Sequence, residues 1–225
     1  MKPRTRAGER VLSCAALVGF LIAGHAARGD VPSAKAPRRA IVIGAELGYA
    51  FPLGALERGS ELADVVHGLV PLGIEGGYHF TTRASLVAYA HYAKGIPTLC
   101  ATASDCFASL GHDIAVGVGG RFLLPRVGPV GPEIRAVFGY EWFRSELSDH
   151  GVTSGRMYRG PLLTTVQAFG NVGSDERAVG PFVAMSAGIF SHRSLETPAF
   201  ETSSFVDRAA LHLWLEVGLR GAWSL

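Results

Sequence analysis

The sequence predicts an all-β protein: an eight-stranded antiparallel up-and-down transmembrane β-barrel that follows a cleaved signal peptide. Three observations lead to this prediction. They are an N-terminal export signal, eight segments in which apolar and polar residues alternate, and connections that are long and short in turn. Charged residues make up only 18% of the chain, and the mean hydropathy is +0.25. A soluble domain usually carries more surface charge, so the composition favours contact with lipid.

Residues 1–26 have the three parts of a signal peptide. Four basic residues precede an apolar run of about 14 residues, from Val11 to Gly24, which is too short to cross a bilayer as a helix. Small residues follow, and cleavage is expected near Ala26. Residues 27–40 contain two prolines and little apolar surface, so they are predicted to form a flexible leader. The barrel is predicted to span residues 41–225.

Cleavage also changes the charge of the chain. It removes four basic residues and one acidic residue, which leaves 17 basic and 18 acidic side chains and a net charge near −1. The calculated pI of about 8.5 is therefore largely a property of the signal peptide. Because the mature chain lacks a basic surface, nucleic-acid binding is not expected.

Eight segments are predicted to be strands, and most are 10–13 residues long, as a tilted membrane-spanning strand requires. They comprise residues 41–52, 69–80, 84–93, 112–124, 132–143, 158–169, 179–190 and 209–223. Strands one, two, four and five alternate clearly; Glu46 in strand one, for example, stands between Ala45 and Leu47. Strands three, six and seven alternate less regularly. Since successive side chains point to opposite faces, the polar face is predicted to line the lumen.

The last strand shows the alternation most clearly. Its odd positions, from Leu211 to Leu225, are almost all large and apolar, and the even positions between them include His212, Glu216 and Arg220. Such a strand is typical of a barrel with lipid outside and polar groups inside. A soluble lipocalin-like barrel, the alternative, would have the inverse facing, with its apolar residues buried.

The connections between the predicted strands alternate in length. Those after strands one, three, five and seven hold about 16, 18, 14 and 18 residues, and the others hold about 3, 7 and 9. Antiparallel neighbours put successive connections at opposite ends, so all the long loops fall at one end. Outer-membrane barrels have long loops outside the cell and short turns in the periplasm.

Aromatic residues cluster near the ends of the strands. Amphipathic rings favour the membrane interface, so two aromatic girdles are predicted. The outer girdle comprises Tyr49, Phe51, Tyr92 and Trp142, and the inner girdle comprises Tyr78, Phe80, Phe122 and Trp223. The general preference of aromatic residues for strands does not explain why they cluster at strand ends.

Over residues 41–225 the chain resembles the small eight-stranded outer-membrane barrels of the OmpA/OmpX/OmpW type. The resemblance is carried by the eight alternating strands, the unequal connections and the terminal Trp223-Ser224-Leu225. Members of this family commonly end in Phe, so Leu225 departs from the usual assembly signal. The resemblance implies an outer-membrane location, contact with outer-membrane lipid, and assembly by the barrel-assembly machinery. It identifies no cofactor and no partner for the surface loops.

Seven ionisable residues are predicted to point into the lumen: Glu46, Glu75, Arg121, Arg135, Glu141, Glu216 and Arg220. Eight strands enclose a space that side chains can fill, and inward glycines provide room for long ones. An unpaired buried charge is costly, so these acids and bases are expected to pair in a charge network that plugs the barrel. A narrow channel for protons or small solutes is the alternative.

Two cysteines remain in the mature chain. Cys100 and Cys106 lie in the second predicted outer loop, and an exported pair at this spacing predicts a disulfide rather than a metal site. Closing so short a loop stabilises the fold by about 2 kcal/mol. Two free thiols are the alternative.

The sequence predicts no catalytic, cofactor-binding or metal-binding residue. His192 and Ser194, with Glu196 and Glu201 nearby, are similar to the residues of outer-membrane lipid A deacylases, which makes a lipid-acting hydrolase the enzymatic alternative. In the predicted register, however, these two side chains face away from lipid. The remaining histidines have no metal-ligand spacing. The predicted role is therefore structural, or one of interaction through the surface loops.

Overall fold

The computed structural model describes residues 41–96, 108–128, 130–149, 152–173, 177–196, 200–206 and 209–225. The predicted signal peptide, the leader and the Cys100–Cys106 disulfide lie outside these ranges and stay predictions. The described elements are β1 (Ile41–Glu57), β2 (Ser60–Glu61), α1 (Leu62–Val65), β3 (Gly68–His79), β4 (Ala84–Ile96), β5 (Ala108–Leu123), β6 (Val130–Asp149), β7 (Val152–Gly173), β8 (Arg177–Ile189), β9 (His192–Glu196), β10 (Glu201–Phe205) and β11 (Leu211–Ser224). None of the described helices is long and apolar enough to cross a membrane.

Eight of these strands close into a barrel. Each of β3 to β7 pairs antiparallel with the strand that follows it, and β11 pairs with both β8 and β1. The pairing of β1 with β3 completes the ring, in which Glu46 is opposite Arg220 on β11 and Gly73 on β3. The predicted eight-stranded antiparallel barrel is confirmed.

Burial follows the predicted alternation. On β11, Leu219 is 63% exposed while the neighbouring Arg220 is 1% exposed; on β3, Ile74 is 61% exposed while Glu75 is 5% exposed. The charged residues thus face the lumen and the apolar residues form the exterior. This distribution is the reverse of that in a soluble lipocalin-like barrel, and it requires lipid around the barrel.

A bulge in β7 explains why the sixth predicted strand lacks a regular alternation. The register shifts between Leu162 and Thr164 against β8, and between Leu162 and Thr165 against β6. Before the shift Tyr158 and Leu162 are buried, and after it Gln167 is buried, so the inward positions change from even to odd. One additional residue moves every later side chain to the opposite face, which no single alternation pattern can describe.

The strands at the loop end are longer than predicted. The connection expected after strand five, with about 14 residues, is wrong: β6 and β7 contain 20 and 22 residues, and their pairing continues to Asp149 opposite Val152. In the connection expected after strand seven, β9 pairs with β7 and β10 pairs with β9. Strands outside the membrane need no apolar face, so alternation could not reveal these extensions.

We expect that Leu219→Arg will destabilise the barrel by about 2–4 kcal/mol, as a charge on the lipid face near mid-membrane does. Leu219 lies four residues from the girdle residue Trp223, or about 10 Å along the barrel axis. Urea unfolding of the protein folded into phosphatidylcholine bilayers measures the loss. Ile41→Arg is the control, because Ile41 is also exposed but lies at the end of β1. Equal losses of unfolding free energy in the two variants would contradict the position of Leu219 on the lipid-facing side near mid-membrane.

Candidate functional site in the barrel lumen

The lumen nearest the turn end contains an ionic layer centred on Glu75. Arg135 donates from Nη1 to Glu75 Oε2 at 2.6 Å. Arg121 Nη2 lies 3.1 Å from Glu75 Oε1, and Arg220 Nη2 donates to the same oxygen. One carboxylate is therefore surrounded by three guanidinium groups that come from β5, β6 and β11.

Two further carboxylates balance these arginines. Arg135 Nη2 donates to both oxygens of Glu46, at 3.1 and 3.2 Å. Glu133 Oε1 lies 3.2 Å from Arg121 Nε and 3.3 Å from Arg220 Nη1. Three acids thus face three bases, so the ionic layer (Glu46, Glu75, Glu133, Arg121, Arg135 and Arg220) has no formal net charge. Every member is less than 8% exposed, which makes this neutrality necessary.

Neutral side chains complete the ionic layer. Gln167 Nε2 donates to Glu46 at 3.1 Å, and Asn171 Nδ2 donates to Glu133 at 2.8 Å. The guanidinium of Arg135 lies 4.3 Å from the ring centre of Tyr89, and that of Arg220 lies 4.2 Å from the ring centre of Phe169. Such cation–π contacts stabilise arginine where water is excluded.

A repeated local sequence positions the two glutamates of β1 and β3. Both strands contain Gly-x-Glu, as Gly44 with Glu46 and as Gly73 with Glu75. The antiparallel register places each glutamate opposite the glycine of the other strand. A Cβ atom on Gly44 would lie 2.6 Å from Glu75 Oε1, and one on Gly73 would lie 2.6 Å from Glu46 Oε1. Only glycine leaves space for the carboxylates to cross the neighbouring strand.

A layer of histidines and acids lies above the ionic layer, toward the loop end. His91 Nε2 is 2.7 Å from Asp113 Oδ2, and its Nδ1 is 2.6 Å from the hydroxyl of Tyr89. His212 Nε2 is 2.7 Å from Glu141 Oε2. The two histidines and the two carboxylates that they contact are each at most 9% exposed. These contacts pair the remaining inward acids on β5 and β6 with imidazoles rather than with arginines.

Trp214 and Glu216 belong to the same histidine layer. Trp214 Nε1 donates to Glu141 Oε1 at 2.8 Å. Ser186 Oγ donates to Glu216 Oε1 at 3.3 Å and lies 2.9 Å from Thr165 Oγ1. The acids in this layer thus contact neutral donors and histidines rather than arginines, and Asp113 Oδ1 has no hydrogen-bond partner among the described residues.

An apolar cap fills the lumen at the loop end. Phe190 stacks on His212 with ring centres 4.0 Å apart, and Leu62 and Val66, from α1 and its C-terminal end, are fully buried. The members of the cap are Ala50, Leu56, Leu62, Val66, Leu69, Ala93, Phe143, Tyr158, Phe190, Val206 and Trp214. The first long connection therefore folds over the mouth of the barrel.

The structure divides the residues predicted for one charge network between two layers. Glu46, Glu75, Arg121, Arg135 and Arg220 meet in the ionic layer, whereas Glu141 and Glu216 lie in the histidine layer, where no arginine ion pair to either is present among the described residues. Glu133 also joins the ionic layer; the sequence predicts it to face inward as a possible partner of Arg121 and Arg135, although it is not one of the seven residues predicted for the network. Its inward position in the same strand as Arg135 is the signal that identifies it.

The other predicted residues lie on the exterior or near the loop end. All eight aromatic residues of the predicted girdles are outward and at least partly exposed. His192 contacts Ser191 Oγ through Nδ1 at 2.9 Å and packs on Phe205. Among the described residues no hydrogen bond joins His192 to Ser194, and no group of three or more His, Cys, Asp or Glu side chains could hold a metal ion.

Comparison with known proteins identifies the fold but no sequence relative. No protein-family model matches the chain, and no curated protein matches it. A major outer membrane protein from Thermus thermophilus is 10% identical, with a TM-score of 0.54 over 84% of this chain and all of that chain. OprG from Pseudomonas aeruginosa (10% identity, TM-score 0.47, 82% and 96% coverage) and Ail from Yersinia pestis (13%, 0.45, 80% and 97%) are also similar.

The likeness to the Thermus protein is one of fold, and the exterior of the barrel agrees with it. Closed barrels with an apolar outer face and a polar interior occupy the outer membrane of bacteria. The chain has the fold of the small eight-stranded outer-membrane β-barrels, and it is an outer-membrane protein.

Proposed function

We propose that this outer-membrane barrel is a closed scaffold, which does not conduct solutes and acts through the surface that its loops form. The observation that carries the proposal is the filling of the lumen by three successive layers. The ionic layer is neutral and buried, the histidine layer is hydrogen-bonded across the lumen, and the apolar cap includes α1 from the first connection. A packed lumen leaves no path for solutes.

The loop end is the part of the protein that is available for interaction. The strands β6, β7, β9 and β10 extend there, and exposed ion pairs hold them together. Arg144 Nη2 on β6, for example, lies 3.0 Å from Glu196 Oε2 on β9. The partner of this surface is a macromolecule or a neighbouring cell surface, and lipid and the barrel-assembly machinery are partners of the barrel itself. No catalytic role is proposed, because the contacts of His192 do not prepare Ser194 as a nucleophile.

Planar-bilayer recording tests whether the lumen is closed. We expect the purified wild type to give no stable conductance steps, whereas a 16-stranded porin inserted in the same bilayers gives large ones. Large, reproducible steps from the wild type would overturn the proposal in favour of a channel. A lipid deacylation assay, with Ser194→Ala as its control, tests the enzymatic alternative; activity that the substitution abolishes would replace the proposal with a hydrolase.

A further inference from the structure

We propose that the outer face of the barrel binds a phosphorylated lipid of the outer leaflet near the loop end. One acyl chain lies in a groove across β5, β6 and β7, and the phosphate lies against cations at the rim of this groove. The site is on the exterior, so it is independent of whether the lumen conducts.

The groove is a concave region of the exterior with a volume of about 520 Å³. Its lining residues are His112, Ile114, Val116, Trp142, Arg144 and Met157. The floor is apolar, and Ile114 and Val116 are 45% and 42% exposed, so it is not filled by the protein's own side chains. A hydrocarbon chain matches this floor, since burying apolar surface needs no polar partner.

His112 and Arg144 are part of the lining of the groove, and two further cations lie beside the groove in register. The register places Lys94 on β4 opposite His112 on β5, and His112 opposite Arg144 on β6. Arg159 on β7 lies opposite the groove residue Trp142. These four residues therefore come from four neighbouring strands and lie at two adjacent outward-facing levels of the sheet. We call them the rim (Lys94, His112, Arg144 and Arg159).

The height of the rim matches that of lipid headgroups. His112 lies ten residues from the inner-girdle residue Phe122 on the same strand. Ten residues extend about 33 Å along a strand, or about 25 Å along the axis of a barrel whose strands tilt by about 40°. The apolar band of such barrels is about 25 Å tall, so the rim lies at the opposite membrane interface. The girdle residues Tyr92 and Trp142 at the same level agree with this position.

Carboxylates of the described residues balance the charge of the rim only in part. The two carboxylates that contact it, Glu146 and Glu196, both pair with Arg144, at 3.1 and 3.0 Å. Among the described residues, Lys94 and Arg159 have no carboxylate partner. Tyr92 holds His112 in place through a contact of 2.7 Å between the hydroxyl and Nδ1. An anionic phosphate above an apolar chain would complement both the rim and the floor of the groove.

Native mass spectrometry of the whole folded protein, titrated with bis-phosphorylated lipid A, tests the site. We expect one lipid to bind the wild type. Because each cation near an anionic lipid contributes a factor of about five, the double variant Lys94→Gln/Arg159→Gln should bind about 25-fold more weakly. The control Arg58→Gln/Arg83→Gln removes the same charge from exposed positions away from the groove and should bind as the wild type does. Equal weakening in both double variants would overturn the site.

Two further measurements separate the parts of the proposal. Val116→Trp, which fills the groove from the lipid-facing side, should also weaken lipid A binding, whereas wild-type behaviour would exclude the acyl chain from the groove. Lipid A without its phosphates should bind the wild type as weakly as the rim variant binds the intact lipid. Competition by inorganic phosphate alone at micromolar concentration would overturn the assignment to a lipid, because it would show a site for the free anion.

Discussion

Glu75→Gln is expected to lower the free energy of unfolding of the barrel by about 3–5 kcal/mol, the cost of removing one partner from a buried ion network. Glu75 is 5% exposed and contacts Arg121, Arg135 and Arg220. The substitution keeps the shape of the side chain but leaves three arginines with two carboxylates. The uncompensated positive charge lies in the lumen, where water cannot solvate it.

Urea unfolding in bilayers, followed by tryptophan fluorescence, measures this loss. Glu57→Gln is the matched control, because Glu57 also pairs with an arginine, Arg193, but both side chains are partly exposed. An exposed pair contributes at most about 1 kcal/mol. The double variant Glu75→Gln/Arg220→Gln restores neutrality and should recover part of the loss. If Glu75→Gln costs no more than Glu57→Gln, the ionic layer does not stabilise the barrel.

Trp214→Ala is expected to cost about 3–5 kcal/mol, as truncation of a buried tryptophan does. Trp214 is 2% exposed, its ring centre lies 6.1 Å from that of Phe143, and its Nε1 donates to Glu141. The substitution therefore opens a cavity at the boundary between the apolar cap and the histidine layer. It also leaves one oxygen of Glu141 without its donor.

A second variant separates packing from hydrogen bonding. Trp214→Phe keeps most of the ring but removes the N–H group, and the unsatisfied carboxylate oxygen should cost about 1–3 kcal/mol. Trp223→Ala is the control for loss of a tryptophan, since Trp223 lies on the exterior with 43% exposure and its removal leaves no enclosed cavity. A loss in Trp214→Ala that does not exceed the loss in Trp223→Ala would contradict a packed cap.

The ion-pair partners of the inward-facing charges could not be predicted from the alternation of residues along each strand. The sequence predicts that Glu141 faces the lumen, but its partner His212 is 71 residues away, on a strand that is not its neighbour. Likewise, Arg135 reaches Glu46 and Glu75 across the lumen from β6. Alternation gives the face of a side chain, whereas the contacts across a barrel depend on the register around the whole ring.

The same limit applies to the loop end and to the lipid-binding groove. Extramembrane strands such as β9 have no apolar face, so their pairing with β7 leaves no periodic signal in the sequence. Lys94, His112 and Arg144 are scattered along the chain and meet only because their strands are adjacent in register. Tertiary structure also decided that α1 covers the mouth of the barrel.

From the sequence alone we could predict the all-β class, the eight strands, the lipid-facing and lumen-facing sides of most of them, and most of the charged residues that face inward. This was possible because lipid demands an apolar exterior and a closed barrel satisfies every backbone group, and because the low content of charged residues favours lipid over the inverse facing of a soluble barrel. The folded structure was needed to learn which charges pair, where β7 bulges and how the mouth is closed. These features depend on strand register and on contacts between distant residues, which a local pattern does not encode.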